Sequence, residues 1–153
     1  MNKQLELRKL SSKFYKDYPS NLFPEIENKH GRPYIVLLVL INDLKFAIPL
    51  RTNIRHSYCY KFRTSDRKTE SNTGIDYSKA VVISDDKYLG EETNINDKEY
   101  LELQQKFFFV IKQFKKYVSD YVAFKQQKSN VYIAKKFRYS TLKYFDEFIL
   151  SNK

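Results

Sequence analysis

Residue types that interrupt or cross-link a chain are scarce in this sequence. Its 153 residues include 3 glycines, 4 prolines, 1 cysteine and no tryptophan. Scarce glycine and proline argue against a long flexible linker, so we expect a single domain over residues 1–153. The one cysteine, Cys59, excludes an internal disulfide and suits a reducing compartment, where we expect it to be a packing residue. These features predict a cytoplasmic protein.

Long hydrophobic runs and several catalytic motifs are also missing. The longest apolar run, at 34–41, is far shorter than the roughly 20 residues that a membrane-spanning helix needs. Residues 1–9 are polar and lack the apolar centre of a signal peptide. We find no Gly-rich phosphate loop, no His-Glu-x-x-His motif and no Cys/His ligand cluster. We therefore expect no membrane association, no metal ion and no cofactor.

Positive charge is abundant by contrast. The chain has 28 Lys and Arg residues against 18 Asp and Glu, a formal net charge of +10. A field of this sign attracts polyanions, of which nucleic acid is the commonest in a cell. Positive charge also keeps a protein soluble, so charge alone leaves both interpretations open.

The hydrophobic pattern predicts an α+β fold, a twisted antiparallel sheet flanked by helices. We expect a short helix over 11–18 and a helix that begins after Asn96. Ser140 should cap a last helix. We expect the chain to leave the sheet after Pro49, since proline cannot donate a ladder hydrogen bond. Strands are predicted at 5–10, 34–41, 44–50 and 79–84, with a turn at 42–43.

One apolar stripe runs along the predicted long helix. Its members recur at three- and four-residue spacing, which is typical of a helix that packs on a sheet. They are Leu103, Phe107, Val110, Phe114, Tyr117 and Tyr121.

Residues 51–78 form the most basic long connection, without sustained apolar periodicity. Connections of this length are usually functional or disordered. Metal-free RNA cleavage uses the ribose 2′-OH as nucleophile, cations that stabilise charge on phosphorus oxygens, and groups that move protons. The start of this connection offers such groups in Arg51, Thr52, Asn53, Arg55, His56 and Ser57.

Each of these residues also has a simpler interpretation. Arg51 and Arg55 could only solvate a loop, and Thr52 and Asn53 could only form a turn. His56 is either a surface residue or a proton carrier. The residue types alone do not decide between these alternatives.

Three motifs resemble the toxin component of type III toxin–antitoxin systems. They are Gly-Arg-Pro-Tyr at 31–34, Phe-Ala-Ile-Pro-Leu-Arg-Thr-Asn-Ile-Arg-His at 46–56, and Gly-Ile-Asp-Tyr-Ser-Lys-Ala at 74–80. The chain looks closest to the CptN and TenpN branch, with ToxN and AbiQ more distant. The resemblance covers nearly the whole chain in order and length.

The resemblance implies a metal-independent endoribonuclease with a MazF/Kid-like, ToxN-like fold, which leaves 2′,3′-cyclic phosphate ends. It also implies two partners, the target RNA and a small RNA antitoxin of pseudoknot repeats, and a closed toxin–RNA hetero-oligomer. The alternative that we keep is a non-catalytic RNA-binding module, in which the same loop only clamps phosphates.

Site residues follow from the resemblance and from the basic connection together. In the ToxN branch a tyrosine near the N-terminus and a Thr-Ser-x-Lys stretch after Pro-Leu carry activity. The resemblance implies catalytic roles for Tyr15, which could match that tyrosine, and for Thr52, which could match the hydroxyl position. The lysine of that stretch is not kept here. Thr52 and His56 are expected to manage protons, and Arg51, Arg55 and Lys79 to stabilise the transition state. Further RNA contacts are expected from Arg32, Asn53, Arg55, Ser57, Lys61, Arg63, Tyr77 and Ser78.

Overall fold

The computed structural model of the protein describes residues 5–26, 34–65, 72–126 and 135–151. Over these residues the fold is α+β, an open antiparallel sheet of seven strands with helices, so the predicted α+β class and antiparallel sheet are confirmed. The strands are β1 Leu7–Leu10, β2 Ile35–Ile41, β3 Leu44–Arg51, β4 Cys59–Lys61, β5 Gly74–Asp76, β6 Val81–Val82 and β7 Leu89–Glu92.

The β2–β3 hairpin lies at the centre of the sheet. The strand order is β4-β5-β3-β2-β1-β7, and β6 pairs with β3 beside this path. Asn42 and Asp43 have φ angles of 51° and 67°, the left-handed conformation that a two-residue hairpin turn of type I′ requires. The turn therefore lies at the predicted residues, and its short polar side chains tolerate this conformation.

Pro49 does not end its strand. β3 continues to Arg51, and its last two residues pair with β5. The prediction that the chain leaves the sheet after Pro49 is therefore wrong. Nearer its start β3 pairs with β6, so Pro49 lies where β3 changes partner strands. A residue without an N–H is tolerated at such a break in the pairing.

The basic connection after β3 contains β4 and β5, which the sequence did not predict. Each strand has three residues, too few to show apolar alternation. The two strands pair antiparallel, and β5 also pairs with β3. This pairing brings Asp76, at the end of β5, close to Arg51, at the end of β3.

The helices lie close to their predicted positions. They are α1 Ser12–Asp17, α2 Asp97–Lys125 and α3 Asp146–Ile149, the last preceded by a 3-10 helix, Thr141–Phe145, that Ser140 caps. All six residues of the predicted stripe on α2 are buried. Phe114 contacts Phe46 of β3 with ring centroids 5.2 Å apart, so α2 packs on the sheet. The predicted strand at 79–84 is reduced to β6, after a 3-10 helix, Tyr77–Lys79.

Gly74 lies where β4 and β5 approach each other. A Cβ at this position would collide with the carbonyl oxygen of Tyr60. We expect Gly74→Ala to force β4 and β5 apart and to lower the free energy of unfolding by at least about 2 kcal/mol. Urea denaturation measures this loss. Gly90→Ala is the matched control, since its Cβ would lie 3.1 Å from the Lys9 carbonyl oxygen; equal losses in the two variants would contradict the prediction.

Candidate active site

A buried carboxylate connects the residues at the ends of β3 and β5. Asp76 is fully buried, and its Oδ2 accepts a hydrogen bond from Nη1 of Arg51 at 2.7 Å. Its Oδ1 accepts hydrogen bonds from the backbone N–H of Ser78 at 3.0 Å and from the Ser78 hydroxyl at 2.6 Å. Nε2 of His56 lies 3.3 Å from Oδ2. Asp76 thus holds three side chains from separate segments in one cluster.

The charge of Asp76 follows from opposing effects. Burial acts to raise the pKa of Asp76, because it disfavours the charged form. The hydrogen bonds from His56, Ser78 and Arg51 outweigh burial, so the pKa of Asp76 lies below its ordinary value. The carboxylate is therefore ionised at neutral pH. It aligns the Arg51 guanidinium, which keeps its positive charge and is 17% exposed.

His56 makes contacts through both ring nitrogens. Nδ1 accepts a hydrogen bond from the backbone N–H of Tyr58 at 3.0 Å. Because Nδ1 is an acceptor, the ring proton belongs on Nε2, which faces Asp76. Protonating Nδ1 would break the bond to Tyr58. His56 therefore lies at the site as expected, but its geometry is that of a partner for Asp76 and not that of an unengaged proton carrier.

Ser78 is not placed as a nucleophile. Its Oγ lies 3.3 Å from Nε2 of His56, the same nitrogen that faces Asp76. In a Ser–His–Asp triad, the imidazole uses one nitrogen for the serine and the other for the carboxylate. Ser78 is also buried, so it does not lie on the surface as the expected RNA contact would. Its hydroxyl instead donates to Asp76 within the protein.

Lys79 lies near Arg51 but is paired with other groups. Its Nζ donates to the carboxylate of Glu25 and to the carbonyl oxygen of Tyr139, both at 3.0 Å. Lys79 and Arg51 both line a cleft of about 20 Å³, which we call the Lys79 cleft. That volume holds about one water molecule. The structure thus brings the two predicted cations to one cleft, where each is paired with a carboxylate, Arg51 with Asp76 and Lys79 with Glu25.

Tyr15 contacts the site through the backbone. Its hydroxyl oxygen accepts a hydrogen bond from the N–H of Tyr34 at 2.9 Å, and Tyr34 lines the Lys79 cleft together with Arg51. Burial raises the pKa of Tyr15 to about 12, so its phenol stays protonated at neutral pH. Tyr15 therefore positions the start of β2, and its oxygen is engaged there.

Thr52 lines a second, larger hollow, which Arg51 also lines. This hollow, which we call the β3 hollow, has a volume of about 350 Å³ between the end of β3 and the chain before α2. Arg51 and Tyr34 line both the Lys79 cleft and the β3 hollow, so the two cavities are neighbours. Residues that line the β3 hollow include Tyr34, Arg51, Thr52, Thr73, Asn94 and Ile95.

The remaining predicted RNA contacts divide by exposure. Tyr77 is buried, and its hydroxyl donates to Oε1 of Gln113 at 2.8 Å, so it belongs to the core and not to a binding surface. Arg32 lies outside the described residues. The exposed members, available to a polyanion, are Asn53, Arg55, Ser57, Lys61 and Arg63.

Three buried acids are residues that the sequence analysis missed: Asp76, and Glu99 and Glu102 of α2. Besides Asp76, Glu102 of α2 accepts hydrogen bonds from the N–H groups of Arg63 and Thr64, which hold the chain after β4 against the helix. No sequence signal separates Glu102 from an exposed helix carboxylate. For Asp76 a signal existed, because an aspartate two residues before a serine favours a local side-chain-to-backbone turn.

No protein-family model, no curated protein and no solved structure matches the chain. Among the residues that the structure describes, no three His, Cys, Asp or Glu side chains gather where they could hold a metal ion. Within that same part of the chain, no helix is both long enough and apolar enough to cross a membrane. The geometry around Asp76 and Arg51 is therefore the basis for assigning a function.

Removing the charge of Asp76 should destabilise the protein strongly. Asp76→Asn removes the buried charge that pairs with Arg51, and we expect a loss of about 3 kcal/mol in the free energy of unfolding at pH 7. The exposed pair of Lys45 and Asp86 supplies the control, because Asp86→Asn should change stability by less than about 1 kcal/mol. Similar losses in both variants would show that Asp76 does not organise the site.

The stability difference between wild type and Asp76→Asn should depend on pH. Because folding lowers the pKa of Asp76, its stabilisation is complete above the unfolded-chain value of about 3.9. It is lost as the pH falls through the lower value of the folded state. Urea denaturation from pH 7 to pH 2 should therefore show a constant difference down to about pH 4 and a shrinking one below.

Proposed function

We propose that the protein is a metal-independent endoribonuclease that cleaves RNA by attack of a ribose 2′-OH on the neighbouring phosphate. The observation that carries this proposal is Arg51, a guanidinium that the buried Asp76 aligns between the Lys79 cleft and the β3 hollow. The reaction places extra negative charge on phosphorus oxygens, and a preorganised cation stabilises that charge. The net charge of +10 favours binding of the polyanion.

The groups around Arg51 support distinct steps of this reaction. The 2′-OH loses its proton to solvent as its oxygen bonds to phosphorus. The 5′-oxygen takes up a proton as its bond to phosphorus breaks, which leaves a 2′,3′-cyclic phosphate and a 5′-hydroxyl. Thr52 follows Arg51 directly and lines the open hollow, so its hydroxyl can hydrogen-bond the reacting ribose or phosphate. Exposed Arg55 contributes charge nearby. His56 acts through Asp76 as a positioning residue.

We further propose that this enzyme is the cytoplasmic toxin of a type III toxin–antitoxin system with a MazF/Kid-like fold. Its partner would be a pseudoknot-repeat RNA that covers the groove within a closed toxin–RNA assembly. The motif resemblance supports this proposal. The motif at 46–56 contains Arg51, Thr52 and His56, and the motif at 74–80 contains Asp76, so residues of two separate motifs meet at one site.

A non-catalytic RNA-binding module is the second candidate function. One observation favours it: Nδ1 of His56 accepts a hydrogen bond from the N–H of Tyr58, so the lone pair that a general base would use is already engaged. In this alternative Arg51, Thr52 and Arg55 bind phosphates without promoting the attack of the 2′-OH. The two candidates share the binding surface and differ only in the chemical step.

Cleavage of cellular RNA in the presence of EDTA tests the proposed function. We expect discrete fragments with 2′,3′-cyclic phosphate ends from the wild-type protein. Arg51→Lys keeps the net charge but loses the planar guanidinium, and it should reduce the cleavage rate by about 100-fold. Arg8→Lys, outside both hollows, is the charge-matched control and should stay within about twofold of wild type. RNA retained on filters without any fragments would identify the non-catalytic module.

A further inference from the structure

The solvent side of α2 carries exposed aromatic and aliphatic side chains. Phe108 is 72% exposed, Phe109 is 50% exposed, and Leu101 lies seven residues before Phe108. Of the six large hydrophobic side chains that are exposed in the described ranges, three therefore lie on one segment of one helix. Exposed apolar side chains that cluster in this way mark an interaction site, whereas scattered ones do not.

Positive charge accompanies these side chains. Over residues 104–119, α2 has four lysines and no acidic residue. Lys112 and Lys115 follow Phe108 by four and seven residues, so they share its side of the helix. Neither lysine forms an ion pair with a described residue. The exposed residues on this side, which we call the Phe108 face, are Leu101, Gln105, Phe108, Lys112 and Lys115.

The Phe108 face is separate from the site at Arg51. Val110 and Tyr117 lie on the opposite side of α2 and are buried against the rest of the protein. No residue of the Phe108 face lines the Lys79 cleft or the β3 hollow. A bound RNA strand would therefore meet the two surfaces through different nucleotides.

We propose that the Phe108 face binds single-stranded RNA as a second surface beside the site at Arg51. This inference rests on the proposal that the protein acts on RNA, and it does not depend on the chemical step. Single strands bind where bases stack on aromatic rings and cations neutralise the neighbouring phosphates. Phe108 supplies a ring, and Lys112 and Lys115 supply the charge. The amide of Gln105 can donate to and accept from the edge of a base.

The charge of the Phe108 face favours RNA over other occupants. A symmetric contact between two copies of the chain would bring the lysines of both faces to one interface, where like charges repel. Binding to a membrane surface increases with the apolar area that is buried, and this face has two apolar side chains among three polar ones. A polyanion instead places negative charge against Lys112 and Lys115 and releases counter-ions.

Fluorescence anisotropy with an uncleavable 2′-O-methyl RNA of mixed sequence tests the inference. Phe108→Ala removes the stacking ring, and we expect the affinity to fall by about tenfold. Leu40→Ala removes a similarly exposed apolar side chain from β2 and should stay within about twofold of wild type. Both side chains are exposed, so the melting temperature should be unchanged in both variants. Unchanged affinity in Phe108→Ala, or an equal loss in Leu40→Ala, would overturn the inference.

The salt dependence of binding measures the contribution of the lysines. The double variant Lys112→Gln/Lys115→Gln should lower the slope of log affinity against log salt by about 1.4, since each phosphate contact of a single strand contributes about 0.7. Lys16→Gln/Lys87→Gln removes the same charge outside α2 and should leave the slope nearly unchanged. Equal decreases in both double variants would show a general effect of net charge and would overturn the inference.

Parallel assays separate this inference from the proposed function. A wild type that binds RNA through Phe108 but leaves it uncut would contradict the endoribonuclease and keep the Phe108 face. Cleavage together with binding that does not depend on Phe108 would do the reverse. A dimer or binding to phosphatidylserine vesicles that Phe108→Ala abolishes, with RNA affinity unchanged, would assign the face to a second copy or a membrane and overturn the inference. No RNA binding at all would overturn both.

Discussion

The arrangement of the site depends on one interaction, the buried ion pair between Asp76 and Arg51. A carboxylate without solvent contact is stable only when positive charge and hydrogen-bond donors surround it, and here Arg51, His56 and Ser78 supply them. The pair therefore joins the end of β3 to the end of β5 and to the 3-10 helix that follows. Its loss would remove the buried carboxylate that the Arg51 guanidinium faces.

The change of partner strands along β3 gives this pair its position. Near its start β3 pairs with β6, and at its end it pairs with β5, so two separate segments of the chain meet the same strand. Arg51 is the last residue of β3 and lies between the Lys79 cleft and the β3 hollow. A cation on a rigid strand, held by a buried acid, is preorganised for an anion in a way that a loop cation is not.

The same geometry changes the roles of several predicted residues. His56 lies within reach of Asp76, yet the N–H of Tyr58 occupies the nitrogen that would have to accept a proton. Lys79 shares the cleft with Arg51, and its ion pair is with Glu25. The contacts of His56 with Asp76 and of Lys79 with Glu25 join residues distant in sequence, and residue types by themselves do not predict them.

The sequence by itself determined the local structure of segments with a clear hydrophobic period or a strong turn or capping signal. The α2 stripe, the turn at Asn42 and Asp43, and the Ser140 cap follow from contacts within a few residues. Only the tertiary structure decided the short strands β4 and β5, the burial of Asp76 and Glu102, and the hollow at Thr73. The three-residue strands β4 and β5 form because they pair with each other and because β5 also pairs with β3. A carboxylate becomes buried only where donors from other parts of the chain converge on it.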